Sequence, residues 1–231
     1  MTAPVPPHRR SLEFGGAILG SVFVFAALVI IWIARLSQGR DLYVSELGAA
    51  GQPTAHWFEG ALLLIVAGGS LIAYSVRGIR SRFAVLSVWA PAVSLWIGCG
   101  FFLVASQVTC TTGCPLPVGA SFTWQDLIHT VVAVLAFAAA CLGMLQVSFA
   151  AGHRSLARFS LAAGIAVAVI AGVGGILSLA QFQTDFGSRL ELAATTIALG
   201  WLLTLGLMTA LSPAPSRELG TGALGDSLSV G

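Results

Sequence analysis

The sequence predicts an all-α bundle of six transmembrane helices with both termini in the cytoplasm, and three observations predict it. Of the 231 residues 57% are hydrophobic and only 9% are charged, whereas a soluble domain carries about a quarter charged residues. The apolar residues run in uncharged stretches of roughly 20, the length that a hydrocarbon core about 30 Å thick requires of a helix. Arginines fill alternate gaps between those stretches, as they do where cytoplasmic loops retain positive charge.

The first stretch, Phe14 to Leu36, follows Arg9 and Arg10. It is longer than a signal-peptide core and lacks a small-residue cleavage site, so it is expected to stay as a span. The second runs from His56 to Val76 and the third from Phe83 to Gln107, where Pro91 removes one backbone donor and is expected to kink the helix. The others are Leu127 to Ala151, Ser160 to Gln181, and Leu190 to Leu211. Strands of a membrane barrel alternate polar and apolar residues, and these runs stay apolar throughout. Gly16 and Gly20, the Gly68-Gly69 pair, and Gly172 with Gly174 and Gly175 supply small surfaces for close helix packing. One domain over residues 13–211 results, with disordered cytoplasmic segments at 1–12 and 212–231.

All the basic residues other than histidine are arginines. Arg9, Arg10, Arg77, Arg80, Arg82, Arg154, Arg158 and Arg217 fall on one side, which is therefore cytoplasmic. Arg35, Arg40 and Arg189 fall on the other, with Asp41, Glu46, Glu59, Asp126, Asp185 and Glu191. The balance of charge, +2, argues against nucleic acid as a partner; the lipid bilayer is the partner that composition demands, in a bacterial plasma membrane. Trp32, Trp57 and Trp124 sit where an outer aromatic belt belongs.

Chemistry-bearing residues gather on the outer side. Glu59, Asp126 and Glu191 stand in or near the first turns of three helices, where the macrodipole and free backbone N–H groups favour carboxylates without any further role. The sharper reading is that His56 with Glu59, and Asp126 with His129, each share a helix face. Converging inward, these pairs would suit a metal, a proton relay or a hydrolytic water. Cys110 and Cys114, in the outer connection between the third and fourth spans, are expected to form a structural disulfide in an oxidising space. Cys99 and Cys141 lie within spans and read as small buried hydrophobes. No phosphate-binding loop, dinucleotide fingerprint, zinc-protease motif or nucleophile elbow is present, and no cofactor is expected.

Ser45-Glu46-Leu47-Gly48, Pro53 with His56-Trp57, Cys114-Pro115, the Trp124 to His129 segment, and Arg189-Leu190 ahead of Trp201 together resemble bacterial domain-of-unknown-function family 998, from about Gly15 to Leu211. The resemblance implies a six-helix membrane fold and no assigned activity. Its polar marks fall on Ser45, Glu46, His129 and Arg189. The sequence departs from the family pattern at Ser188, where an acid or glutamine commonly precedes the arginine, so Glu191 or Asp185 is expected to take over an ion pair with Arg189.

The expected function is binding of a lipid, small molecule or membrane partner through an outer polar pocket of Glu46, His56, Glu59, Asp126, His129 and Arg189. The alternatives are a metal-dependent membrane hydrolase using His56, Glu59, Asp126 and His129, a small transporter, and a bis-histidine haem site through His56 and His129. Transport is the weaker for want of a charged residue near any midplane.

Overall fold

The computed structural model describes residues 7–116, 119, 122–150 and 154–211. Six α-helices account for most of them: α1 (Pro7–Leu36), α2 (Ala55–Ser75), α3 (Pro91–Gln107), α4 (Trp124–Ser148), α5 (Arg154–Leu179) and α6 (Thr184–Leu211). Short 3-10 turns occupy Ser45–Gly48 and Val85–Ser87. No strand is present among the described residues, so the all-α expectation stands. Helix α1 begins well ahead of Phe14. The expectations for residues 1–6 and for the tail 212–231 lie outside the described residues.

Five helices, all but α3, are long and apolar enough to cross a membrane. Their outer faces carry large apolar side chains with nothing packed on them, such as Phe25 on α1 and Ile165, Val169 and Ile176 on α5. In water such a surface would associate; in lipid it is already solvated.

The third span requires a correction. Pro91 does not kink a helix that starts at Phe83; it is the first residue of α3, where its missing N–H has no helical partner to lose and its fixed φ suits the first turn. Phe83, Val85, Val88 and Trp89 form an exposed apolar connection instead. With 17 residues, α3 is about 26 Å long, slightly short of the hydrocarbon thickness.

Each helix packs against its sequence neighbours, and α6 returns to α1, closing a ring with α2 and α6 also touching. The α1–α2 seam explains two of the glycines: a Cβ on Gly20 would lie 2.7 Å from the Gly68 carbonyl oxygen, and one on Gly68 equally close to that of Gly20. Backbone meets backbone there, so the small residues serve packing within the chain. Gly172 and Gly175 have open space beside them.

At one end of the ring lie the start of α1, the α2–α3 connection and the end of α4. The Ser75 hydroxyl donates to the Glu13 carbonyl (2.8 Å), Arg77 pairs with Glu13 (2.8 Å), and the Arg82 N–H donates to the Phe149 carbonyl (2.9 Å). Just inside, buried Gln146 accepts from Ser94 (2.7 Å) and donates to the Leu86 and Trp89 carbonyls (both 3.2 Å), while the Trp89 indole donates to Ser94 (2.9 Å). This network holds the α2–α3 connection to α4 by satisfying two carbonyls of that irregular connection. The opposite end carries the α1–α2, α3–α4 and α5–α6 connections, and with them the polar residues singled out above.

Candidate functional site

At that second end the 3-10 turn and the loop before α4 fold over the ring. The Ala50 N–H donates to the Cys110 carbonyl (3.0 Å), and the Thr112 hydroxyl to the Ala50 carbonyl (3.0 Å), joining the two connections. Cys110 and Cys114 form the expected disulfide. Cys110 is buried and Cys114 half-buried.

Asp126 fastens this loop to α4. Thr123 is the N-cap, its hydroxyl accepting from the Asp126 N–H (3.0 Å), and the Asp126 carboxylate returns the contact by accepting from the Thr123 hydroxyl (2.5 Å). The same carboxylate takes the N–H and the hydroxyl of Thr111, both at 2.8 Å. With every contact supplied by the loop, buried Asp126 is engaged as an anchor, the use that its position at a helix start favours. One turn further on, buried His129 bonds the Val108 carbonyl through Nδ1 (2.7 Å). A carbonyl only accepts, so Nδ1 carries a proton and donates it, which leaves Nε2 as the ring nitrogen open to another partner.

His129 also lines a cavity of about 90 Å³ inside the ring. Leu62 and Ile65 of α2, Phe102 of α3, Phe137 of α4 and Leu199 of α6 make its walls apolar, and Ser45, His129, Glu191 and Thr195 supply its polar groups. Glu191 accepts from the Val44 N–H (2.7 Å) and is within hydrogen-bond reach of Ser45, so it ties α6 to the turn that covers the cavity.

The six expected pocket residues divide. His129 lines the cavity, and Glu59 shares a narrow cleft of about 10 Å³ with it. The His56 side chain is 96% exposed and stands 3.8 Å from Glu59, a solvated pair of little energetic weight. Glu46 accepts from the Tyr43 N–H (2.8 Å) within its own turn. Arg189 meets neither Glu191 nor Asp185 but Asp41, at 2.6 Å, and Arg35 reaches the same carboxylate at 2.6 Å. Those two guanidiniums, Arg189 above all, hold the Asp41 carboxyl below the usual carboxylate range. Their triad closes the rim where α1 meets α6. Among the described residues, His56, Glu59, Asp126 and His129 do not gather their donor atoms into a metal-sized cluster; the group that does is Cys110, Cys114 and His129.

The model of the family described as "Protein of unknown function (DUF998)" matches residues 10–208. The chain belongs to that family. The match spans all six helices of this DUF998 member, including the resemblance marks Ser45, Glu46, His129 and Arg189. No curated protein and no solved structure matches the chain.

Glu191 is the cavity-lining residue whose placement is hardest to see in sequence. A helix starting at Leu190 makes it a first-turn acid, whereas α6 starts at Thr184, which sets Glu191 two turns in and facing the interior. The signal was available in Thr184-Asp185, a helix-start pair ahead of an apolar run.

Proposed function

We propose that this DUF998 member binds a small amphipathic molecule, or the end of a longer one, in the cavity between its helices. Its apolar body would lie against Phe102, Phe137 and Leu199, and its polar group against His129, Ser45, Thr195 and Glu191. The observation that carries this reading is the composition of the cavity, apolar along its walls with a few convergent polar groups, the usual character of a small-molecule site. A hydrolytic reading has less support, because His56 is in the open and Asp126 spends its carboxylate on Thr111 and Thr123.

We further propose that the disulfide end faces outward from a bacterial plasma membrane. The arginine asymmetry supports it, as does a disulfide that persists in an oxidising space. A membrane-impermeant reductant followed by an impermeant thiol reagent should label Cys114 in intact cells; labelling only after permeabilisation reverses the orientation.

The binding reading is tested by mass spectrometry of what co-purifies with the chain. Wild type should yield one amphiphile per chain on organic extraction, and Ala133→Phe and Ala198→Phe, which place rings in the cavity, should lose it while keeping helical circular dichroism. An extract free of amphiphile, or one unchanged in both folded variants, rejects the proposal.

A further inference from the structure

The connection between α3 and α4 holds a second constellation, which shares His129 with the cavity. Both sulfurs of the Cys110–Cys114 pair and one imidazole nitrogen of His129 lie within 4.8 Å of one another. Bonds of about 2.3 Å to sulfur and 2.0 Å to nitrogen put the donors of a tetrahedral zinc site roughly 3.3–3.8 Å apart. The three donors are thus already gathered, apart from the covalent bond between two of them. The spacing Cys110-x-x-x-Cys114 falls within the range that pairs of metal-binding cysteines use.

The surroundings are those of a supported ligand set. Metal-bound histidines usually donate their other ring N–H to a carbonyl or carboxylate, which fixes the tautomer, and Val108 takes the Nδ1 proton of His129 in that way. Asp126 holds Thr111, the residue next to Cys110, by two hydrogen bonds of 2.8 Å. Loop and histidine therefore keep their relation when the disulfide opens. From the loop alone, Cys110 and Cys114 offer two donors and no site; the third comes from α4.

The geometry points to a thiol-gated binding site for a thiophilic d10 metal ion, formed by Cys110, Cys114 and His129 once the disulfide is reduced. A dithiol reductant opens the bridge in two exchange steps, attacking first at half-buried Cys114. The reductant's two thiols become a disulfide, and Cys110 and Cys114 receive its two electrons and two protons. A divalent ion then displaces those two protons from the cysteines, while His129 contributes a lone pair without proton change. Three protein donors leave the fourth position open to water or a small ligand; thiol–disulfide exchange with a small-molecule disulfide, which takes up the two electrons and leaves as two thiolates, re-forms the Cys110–Cys114 bridge and expels the ion.

The test uses the full chain in detergent, reduced anaerobically with dithiothreitol, freed of excess reductant and titrated with Cd(II) or Zn(II) alone. Reduced wild type should bind one ion per chain, with a thiolate-to-Cd(II) charge-transfer band that the oxidised protein and Cys110→Ser/Cys114→Ser lack. His129→Gln should bind at least about tenfold more weakly, since loss of even an outer-shell partner costs that much. Because His129 is buried, X-ray absorption of the zinc-loaded wild type gives a readout that needs no variant: two sulfurs and one nitrogen in the first shell support the site. Failure of the reduced wild type to bind one ion, a first shell without nitrogen, or an affinity unchanged in a folded His129→Gln protein overturns it.

Discussion

The two ends of the bundle use polar residues differently. At the arginine-rich end the polar groups answer structural needs: Gln146, held by Ser94, donates to two carbonyls ahead of a short helix, Ser75 binds a neighbouring backbone, and half-buried Arg77 lies against Tyr74, 3.7 Å from its ring centre. At the disulfide end, Asp126, His129 and Glu191 are ionisable side chains turned inward, and two of them, His129 and Glu191, line a cavity. Setting a carboxyl group and an imidazole against apolar walls is costly, and the proposed binding of a ligand rests on that cost.

Substitutions at the two ends should break this contrast in graded ways. The largest effect is expected for Asp126→Ala, which strands the Thr111 N–H and frees the loop. It should cost about 3 kcal/mol of stability, read by thermal unfolding in one detergent, and raise hydrogen exchange over residues 109–114 without altering the arginine-rich end. Cys110→Ser/Cys114→Ser follows: the small ring predicts a loss of about 2 kcal/mol, again with faster exchange confined to the cap. Gln146→Leu should cost about 1.5 kcal/mol by leaving the Leu86 and Trp89 carbonyls short of a donor. Unlike the cavity-filling variants it should leave the amphiphile content unchanged, and a Gln146→Leu protein stripped of amphiphile would erase the distinction between the ends.

The smallest effect concerns the rim. Asp41 has its carboxyl pKa lowered by Arg189 and Arg35, so the unfolded chain binds the proton more readily than the native one. The stability this provides is present above the unfolded carboxylate pKa and is lost as pH falls through the lower native value. Asp41→Asn should remove that acid-side loss, giving an unfolding temperature that varies less with pH than wild type at the acid end and is slightly lower near neutrality. Parallel pH profiles for the two proteins would show that the triad does not couple to folding.

Much of the fold was legible because it follows from solvent physics. Apolar runs of sufficient length must lie in lipid as helices, and that reasoning finds six elements, while the family resemblance rests on the order of short motifs in and between them. It missed the start of α3 because Phe83 to Trp89 is as apolar as a span, and hydropathy records apolar character without saying whether the backbone is helical. Pro91 was a start signal read as a kink. The site was legible residue by residue and not as an arrangement. His129 and Asp126 stood out as polar groups at the opening of a span, but their partners, the Val108 carbonyl and Thr111, lie in an irregular loop whose path no periodicity encodes. His56 and Glu59 do share a helical face, as their spacing requires, yet that face turns to solvent at His56. Arg189 found Asp41, 148 positions away, a contact set by how α6 meets the α1–α2 connection.

The central claim, that the capped cavity holds an amphiphile, is tested most directly by electron cryomicroscopy of the chain in lipid nanodiscs made from its native membrane. The account predicts non-protein density inside the ring, ending beside His129 and Glu191 beneath the turn at Val44 and Ser45. A cavity that is empty or filled only by discrete waters, with lipid density confined to the outer faces of the helices, would contradict it.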